Sequence, residues 1–305
     1  MINFRYHLVS VTAVFLALTI GLVLGTTALN GPTMDALSVT VNSLRNDNEQ
    51  LRDEVSQLED DASEDHNFAA EVAPATLAGG LEDEKIAVVS VGGADPAHVE
   101  DLMAMLDHTD AKVVGQLNLT DAFTDPANSA ELTDLVVEMT PKDYEPPNNN
   151  DGLESASALL AESLVKGSDV DSDDRDSIVE AMDALEMLSV GKKLGDKATG
   201  IVVVTGKPYS EADAVDRNTN VFTFADQFSQ AGSVVLASPT IVGDGNVVRA
   251  VLGDESVADE ISTVDNVSSP EGQLAAVLAL SERIDGDVGH YGTGEAATAL
   301  VPQSP

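Results

Sequence analysis

From Leu8 to Leu29 the chain carries no charged side chain. About 22 residues at 1.5 Å each make a helix of roughly 33 Å, enough to cross a hydrocarbon core of about 30 Å. The polar members, Ser10, Thr12, Thr19, Thr26 and Thr27, can return their hydroxyls to helix carbonyls and so tolerate lipid. A cleaved signal peptide has a shorter apolar core, although Thr26 and Ala28 set small residues where a peptidase could cut. Arg5 and the free amine flank the near side, whereas the far side has only Asp35 before Arg45. That asymmetry predicts a single pass through the cell membrane, with the N-terminus cytoplasmic and the bulk of the chain outside.

The period then changes. Leu37, Leu44, Leu51 and Leu58 occupy one seam position, and Val41, Asn48, Val55 and Ala62 the other. Leucine at d with β-branched residues at a favours a parallel two-stranded coil, and one Asn at a fixes its register. The pattern predicts a stalk that pairs two copies of the chain. Asn30, Gly31 and Pro32 lie between the two patterns, with Pro32 either opening a new helix or kinking a continuous one. The stalk helix is expected to stop before Pro74.

Beyond residue 84 the signals shorten. Strands are expected at 85–91, 112–117, 200–205, 233–237, 246–252 and 261–265. Helices are expected from the Asp95 cap to His108 and at 130–139, 152–165, 174–190, 219–231 and 270–284, with a loop at 141–151. Strands alternating with helices predict a three-layer α/β domain with a mostly parallel sheet. The runs 246–252 and 261–265 are expected to form an antiparallel edge pair. The chain thus divides into an anchor at 1–30, a stalk at 31–73 and an α/β domain at 85–302.

Composition changes the picture in two ways. With 53 acidic against 15 basic residues and a net charge of −38, the chain is no nucleic-acid binder, because phosphate backbones require Lys and Arg. The acids are interspersed with normal apolar runs, which indicates a folded protein with an acidic surface. Self-repulsion of that size is relieved at molar salt, where the Debye length shrinks to about 3 Å; the composition suits a salt-loving organism. There is no Cys, so disulfides and thiolate chemistry are excluded.

Candidate chemistry is sparse. His98, Asp101, Met105 and His108 fall within about 80° of one helix face, a donor set suited to a copper ion, against the plain alternative of an amphipathic helix. His290 in Gly-His-Tyr-Gly reads as a packed imidazole in a tight turn rather than a ligand. Asp169, Asp171, Asp173 and Glu180 match four places of a calcium loop, but Asp174 stands where the loop needs Gly. Gly92-Gly93 could present amides to an anion, and Thr205-Gly206-Lys207-Pro208 lacks P-loop spacing. Asp265 and Asn266, at a strand end, read as turn and cap chemistry. No acid, base and nucleophile converge in the pattern, so no enzyme is expected.

Two end segments carry a resemblance. MINFRYHLVSVTAVFLALTIGLVLG with LRNDNEQLRDEV, and ISTVDNVSSPEGQLAAVLALSERI with GHYGTGEAATALVP, resemble the opening and closing segments of the mycobacterial copper transport protein B (MctB) family. The resemblance implies a membrane location and a role in copper transport or homeostasis, with a copper ion as the candidate ligand. It also implies an outer-membrane channel. After Leu29, however, no segment is long and apolar enough to span as a helix, and the strands are short buried runs rather than alternating ten-residue segments. One anchor helix per copy would line a pore only in a large assembly. A dimeric scaffold of the cell envelope, with the α/β domain as a docking surface, is the alternative.

Overall fold

The computed structural model describes residues 4–147, 151–239 and 245–303, with no account of the side chains of 27–36. The chain divides into two compact units, Met1–Glu64 and Asp65–Pro305. The first helix, α1 (Phe4–Leu77), belongs to both. Pro32 lies among the residues whose side chains are not described.

In the first unit, among the described residues, Phe4–Thr26 is long and apolar enough to cross a membrane. Its hydroxyls behave as the sequence predicts: Thr12 donates to Leu8 O at 2.8 Å, Thr19 to Phe15 O at 2.8 Å and Thr26 to Leu22 O at 3.0 Å. Leu37, Leu44, Leu51 and Leu58 are each more than half exposed on the single chain.

The second unit is a seven-stranded sheet in the order β3-β2-β1-β4-β5-β6-β7. The strands are β1 (Lys85–Val91), β2 (Lys112–Leu119), β3 (Leu188–Lys192), β4 (Gly200–Thr205), β5 (Ser233–Ala237), β6 (Ser262–Val264) and β7 (His290–Tyr291). All neighbours pair in parallel except β3, which runs antiparallel to β2 at one edge. The helices are α2 (Pro96–Leu106), α3 (Asp121–Thr124), α4 (Ser129–Met139), α5 (Gly152–Leu164), α6 (Ser172–Ala184), α7 (Ala214–Ala231), α8 (Val247–Leu252), α9 (Glu255–Ala258) and α10 (Pro270–Asp285).

Two cores make three layers. Ile201 and Val203 of β4 enter one core with α4, α5, α6, α7 and α8, while Val202 and Val204 enter the other with α2, α10 and the last turns of α1. Strands covered on both faces read as continuous apolar runs, and every residue of β4 is buried. Gly152 is set by close approach of α4 and α5: a Cβ there would sit 2.0 Å from Ser129 O.

Four expectations are corrected. The helix expected to end before Pro74 continues to Leu77, because Ala73 and Leu77 are buried against the sheet. The helix expected over 174–190 ends at Ala184; Glu186 takes a positive φ, and Leu188–Ser189–Val190 pair with Leu119, Asn118 and Leu117. Long-range strand pairing there overrides local propensity. The strand expected at 246–252 is α8: Asn246 accepts from the amides of Val248 and Arg249, and Val247, Val248 and Val251 are buried. The antiparallel pair expected with 261–265 therefore does not form, and β6 pairs in parallel with β5 and β7.

Phe224 fixes the α7 side of the sheet. It is fully buried, edge-on to Phe123 with centroids 5.9 Å apart and 4.2 Å from the Phe228 ring. Phe224→Ala should cost about 3–5 kcal/mol of stability, because the neighbours cannot collapse into the space. Urea denaturation followed by tyrosine fluorescence measures this; a loss below about 1 kcal/mol would contradict the packing described.

Candidate functional site

The sheet reverses its winding at β1. The helix after β1, α2, covers one face, and the helix after β4, α7, covers the other. A crevice opens between β1 and β4 at their C-terminal ends, the position where open α/β sheets bind ligands. Here it encloses about 690 Å³ and is lined by Gly92, Gly93, Asp95, His98, Asp121 and Gly206–Glu211, with Pro239 and Ser268 at its far side.

Its floor is bare backbone. Gly92 and Gly93 both take left-handed φ. Gly206 lies so close to them that a Cβ there would be 2.2 Å from Gly92 O and 2.5 Å from Gly93 O. Only a residue without a side chain fits at 206. The start of α2 is already capped, since Asp95 Oδ1 accepts from the amide of Ala97 at 3.0 Å. The anion site that Gly92-Gly93 suggests in the sequence is not built: a carboxylate stands where a phosphate would need free amides.

The wall is a fastened loop. Tyr209 donates its hydroxyl to Asp121 Oδ1 at 2.7 Å and lies 3.0 Å from Thr124 Oγ1. Its amide donates to Asn218 Oδ1 at 2.9 Å, and Asn218 Nδ2 donates back to Tyr209 O at 3.2 Å. Arg217 stacks over the Tyr209 ring at 5.3 Å while bridging Asp125 and Asp213, each at 2.6 Å. Burial raises the Tyr209 hydroxyl pKa to about 12; the Thr124 bond opposes this and Asp121 adds to it.

Of the four residues on the proposed copper-binding face, only His98 lines the crevice. Its Nδ1 is buried without a hydrogen-bond partner among the described groups. Asp101 is exposed, Met105 is buried in the core at 8% exposure, and α2 ends at Leu106, leaving exposed His108 in the following turn. Among the described residues, no three His, Asp or Glu side chains converge as a metal set would.

The remaining candidates are structural. Asp171 caps α6, accepting from the amides of Asp173 and Asp174, so the calcium-like pattern is a helix start. Asp265 accepts from the amides of Thr293 and Gly294 at 2.8 and 2.9 Å, tying down a distant loop rather than its own turn. His290 Nδ1 lies 3.1 Å from Thr263 Oγ1, and burial lowers its pKa. Asp121, Tyr209, Ser210, Glu211 and Ser268 were not singled out in the sequence. The only available signal was a Gly directly after each of two apolar strands.

Fold and crevice together define a class: a doubly wound α/β domain with a switch-point pocket, on a chain whose described residues include a membrane-length apolar helix. The chain matches the family described as copper transport outer membrane protein, MctB, over residues 1–302. Two relatives named copper transporter MctB, from Mycobacterium tuberculosis (strain H37Rv) and Mycobacterium bovis, are 29% identical over 326 aligned residues, covering 99% of this chain and 99% of theirs. A third of that name, from Mycobacterium leprae, is 30% identical over 323, covering 99% of this chain and all of its own. The chain belongs to the MctB family.

The Tyr209 anchorage has a pH signature. A hydroxyl whose pKa is raised on folding contributes stability that is complete below its usual pKa of 10 and is lost as pH climbs toward about 12. The melting temperature should hold up to about pH 10 and fall between about 10 and 12, and the fall should be shallower in Tyr209→Phe. An identical fall in both proteins would count against the buried phenol.

Proposed function

We propose that this chain is a membrane-anchored component of copper transport that works as a parallel dimer, without a catalytic step. Membership of the MctB family over residues 1–302 carries this reading, and the relatives' shared name supplies the word copper. The apolar helix Phe4–Thr26 supports membrane attachment, and the flanking charges favour a cytoplasmic N-terminus. The pairing surface is Leu37, Val41, Leu44, Leu51, Val55 and Leu58, all exposed on the single chain, with Asn48 as the register residue. One anchor helix per copy lines no pore by itself, so conduction would require higher assembly or a partner. Copper contacts, if on α2, begin with His98.

Deletion of the gene should raise cellular copper and copper sensitivity, with rescue by the intact chain. Normal copper tolerance with altered envelope shape would favour the scaffold instead. Fractionation with protease accessibility should find Asp65–Pro305 outside the cell membrane; cleaved, soluble chains would refute the anchor.

Two seam substitutions, Leu44→Asp and Leu51→Asp, should convert the detergent-solubilised dimer to monomer, read by light scattering. Because the net charge is −38, both dimer and melting temperature should strengthen from about 0.1 M to about 2 M KCl as repulsion is screened. A melting temperature that is flat or falls with salt would remove the halophilic reading.

A further inference from the structure

We infer that the crevice between β1 and β4 binds a small organic cation bearing an amine or guanidinium group. This inference does not depend on the copper reading. It starts from a cavity of about 690 Å³ at the switch point of the sheet, the place where such folds take ligands. Three glycines keep the floor clear of side chains, and Gly206 packs directly on the Gly92 and Gly93 carbonyls. Tyr209 donates its hydroxyl to Asp121 and its amide to Asn218 and hydrogen-bonds Thr124, which holds this wall in place, so the cavity is formed before any ligand arrives. His98 leaves a buried Nδ1 unpartnered at its edge.

The lining decides the class. Carboxylates dominate its charged groups: Asp95, Asp121 and Glu211, against the single ammonium of Lys207. An anion would meet these carboxylates inside a protein of net charge −38, with the first amide contact of α2 already taken by Asp95. A directly coordinated metal ion needs several converging donors, and no such set of three His, Asp or Glu assembles among the described residues. A cation that brings its own N–H donors satisfies these carboxylates by charge-assisted hydrogen bonds.

The test is calorimetric titration of the full chain in detergent with putrescine and agmatine, alongside AMP, inorganic phosphate and Cu(II). The amines should bind once per chain. Asp121→Asn and Glu211→Gln should each weaken binding by about tenfold, the worth of one charge-assisted hydrogen bond. Lys207→Gln should tighten it by about threefold by removing a like charge, a gain that misfolding cannot produce. Glu131→Gln, the same charge change on the exposed face of α4, should leave it unaltered. Absence of amine binding, equal weakening by Glu131→Gln, or binding of AMP or phosphate that Lys207→Gln abolishes would each overturn the inference. So would Cu(II) binding at this site in preference to the amines.

Discussion

The parallel pairing of β1 with β4 is the constraint on which the domain depends. Ile86 meets Gly200 and Val91 meets Thr205, six residues in unbroken register. Side chains of β4 alternate between two cores, so a slip of one residue would exchange every member of one core for the other. Because the neighbouring connections leave this pair on opposite faces, no helix among the described residues covers the ends of the two strands, and a crevice remains there. Register also brings Gly206 onto Gly92 and Gly93. The same interaction thus stabilises the sheet and clears the floor of its pocket.

How much of this was legible follows from where the information lies. Apolar runs such as 85–91 and 200–205 announce buried strands, because both of their faces are covered. The edge strand β3 gives no such signal: after Leu188 its residues are exposed, and only backbone pairing with β2 defines it. The run 246–252 is apolar enough for a strand, but the Asn246 cap and a buried face made by Val247, Val248 and Val251 make it a helix. Pro74 looks like a stop, yet burial of Ala73 and Leu77 carries the helix past it. The crevice was half readable. Gly92, Gly93, Asp95, His98 and Lys207 stand beside strands or caps, whereas Asp121 and Tyr209 are 88 residues apart and meet only through the fold.

The scarce cations show how an acidic chain is held together. Arg217 joins Asp125 to Asp213 behind the Tyr209 loop. Arg175, 3% exposed, donates to Gly195 O and to Asp176. Lys197 is bound by Ser168 and by the Val170 carbonyl, and Lys85 and Lys112 share Asp196. The Arg217 and Arg175 guanidiniums are largely buried, so their contacts are worth more than an exposed pair, whereas the Lys85 and Lys112 contacts to Asp196 are exposed and worth little. Most acids face water, where their repulsion is open to screening by salt.

The donor inventory bears on the copper reading as well. Copper(I) prefers thiolate and thioether, and copper(II) prefers imidazole and oxygen. There is no Cys. Of the methionines with described side chains, Met105, Met182 and Met187 are buried, while Met103 and Met139 pack against the cores. Their thioethers are committed to packing. His290 is packed against Thr263, and His66 lies 3.7 Å from Glu271. Within the α/β domain this leaves His98 and His108, which do not converge with a third His, Asp or Glu ligand. The proposed role in copper transport therefore rests on the family resemblance and not on a ligand set within one copy's described residues. The proposed pairing along α1 is one way in which copies would bring together ligands that a single copy keeps apart.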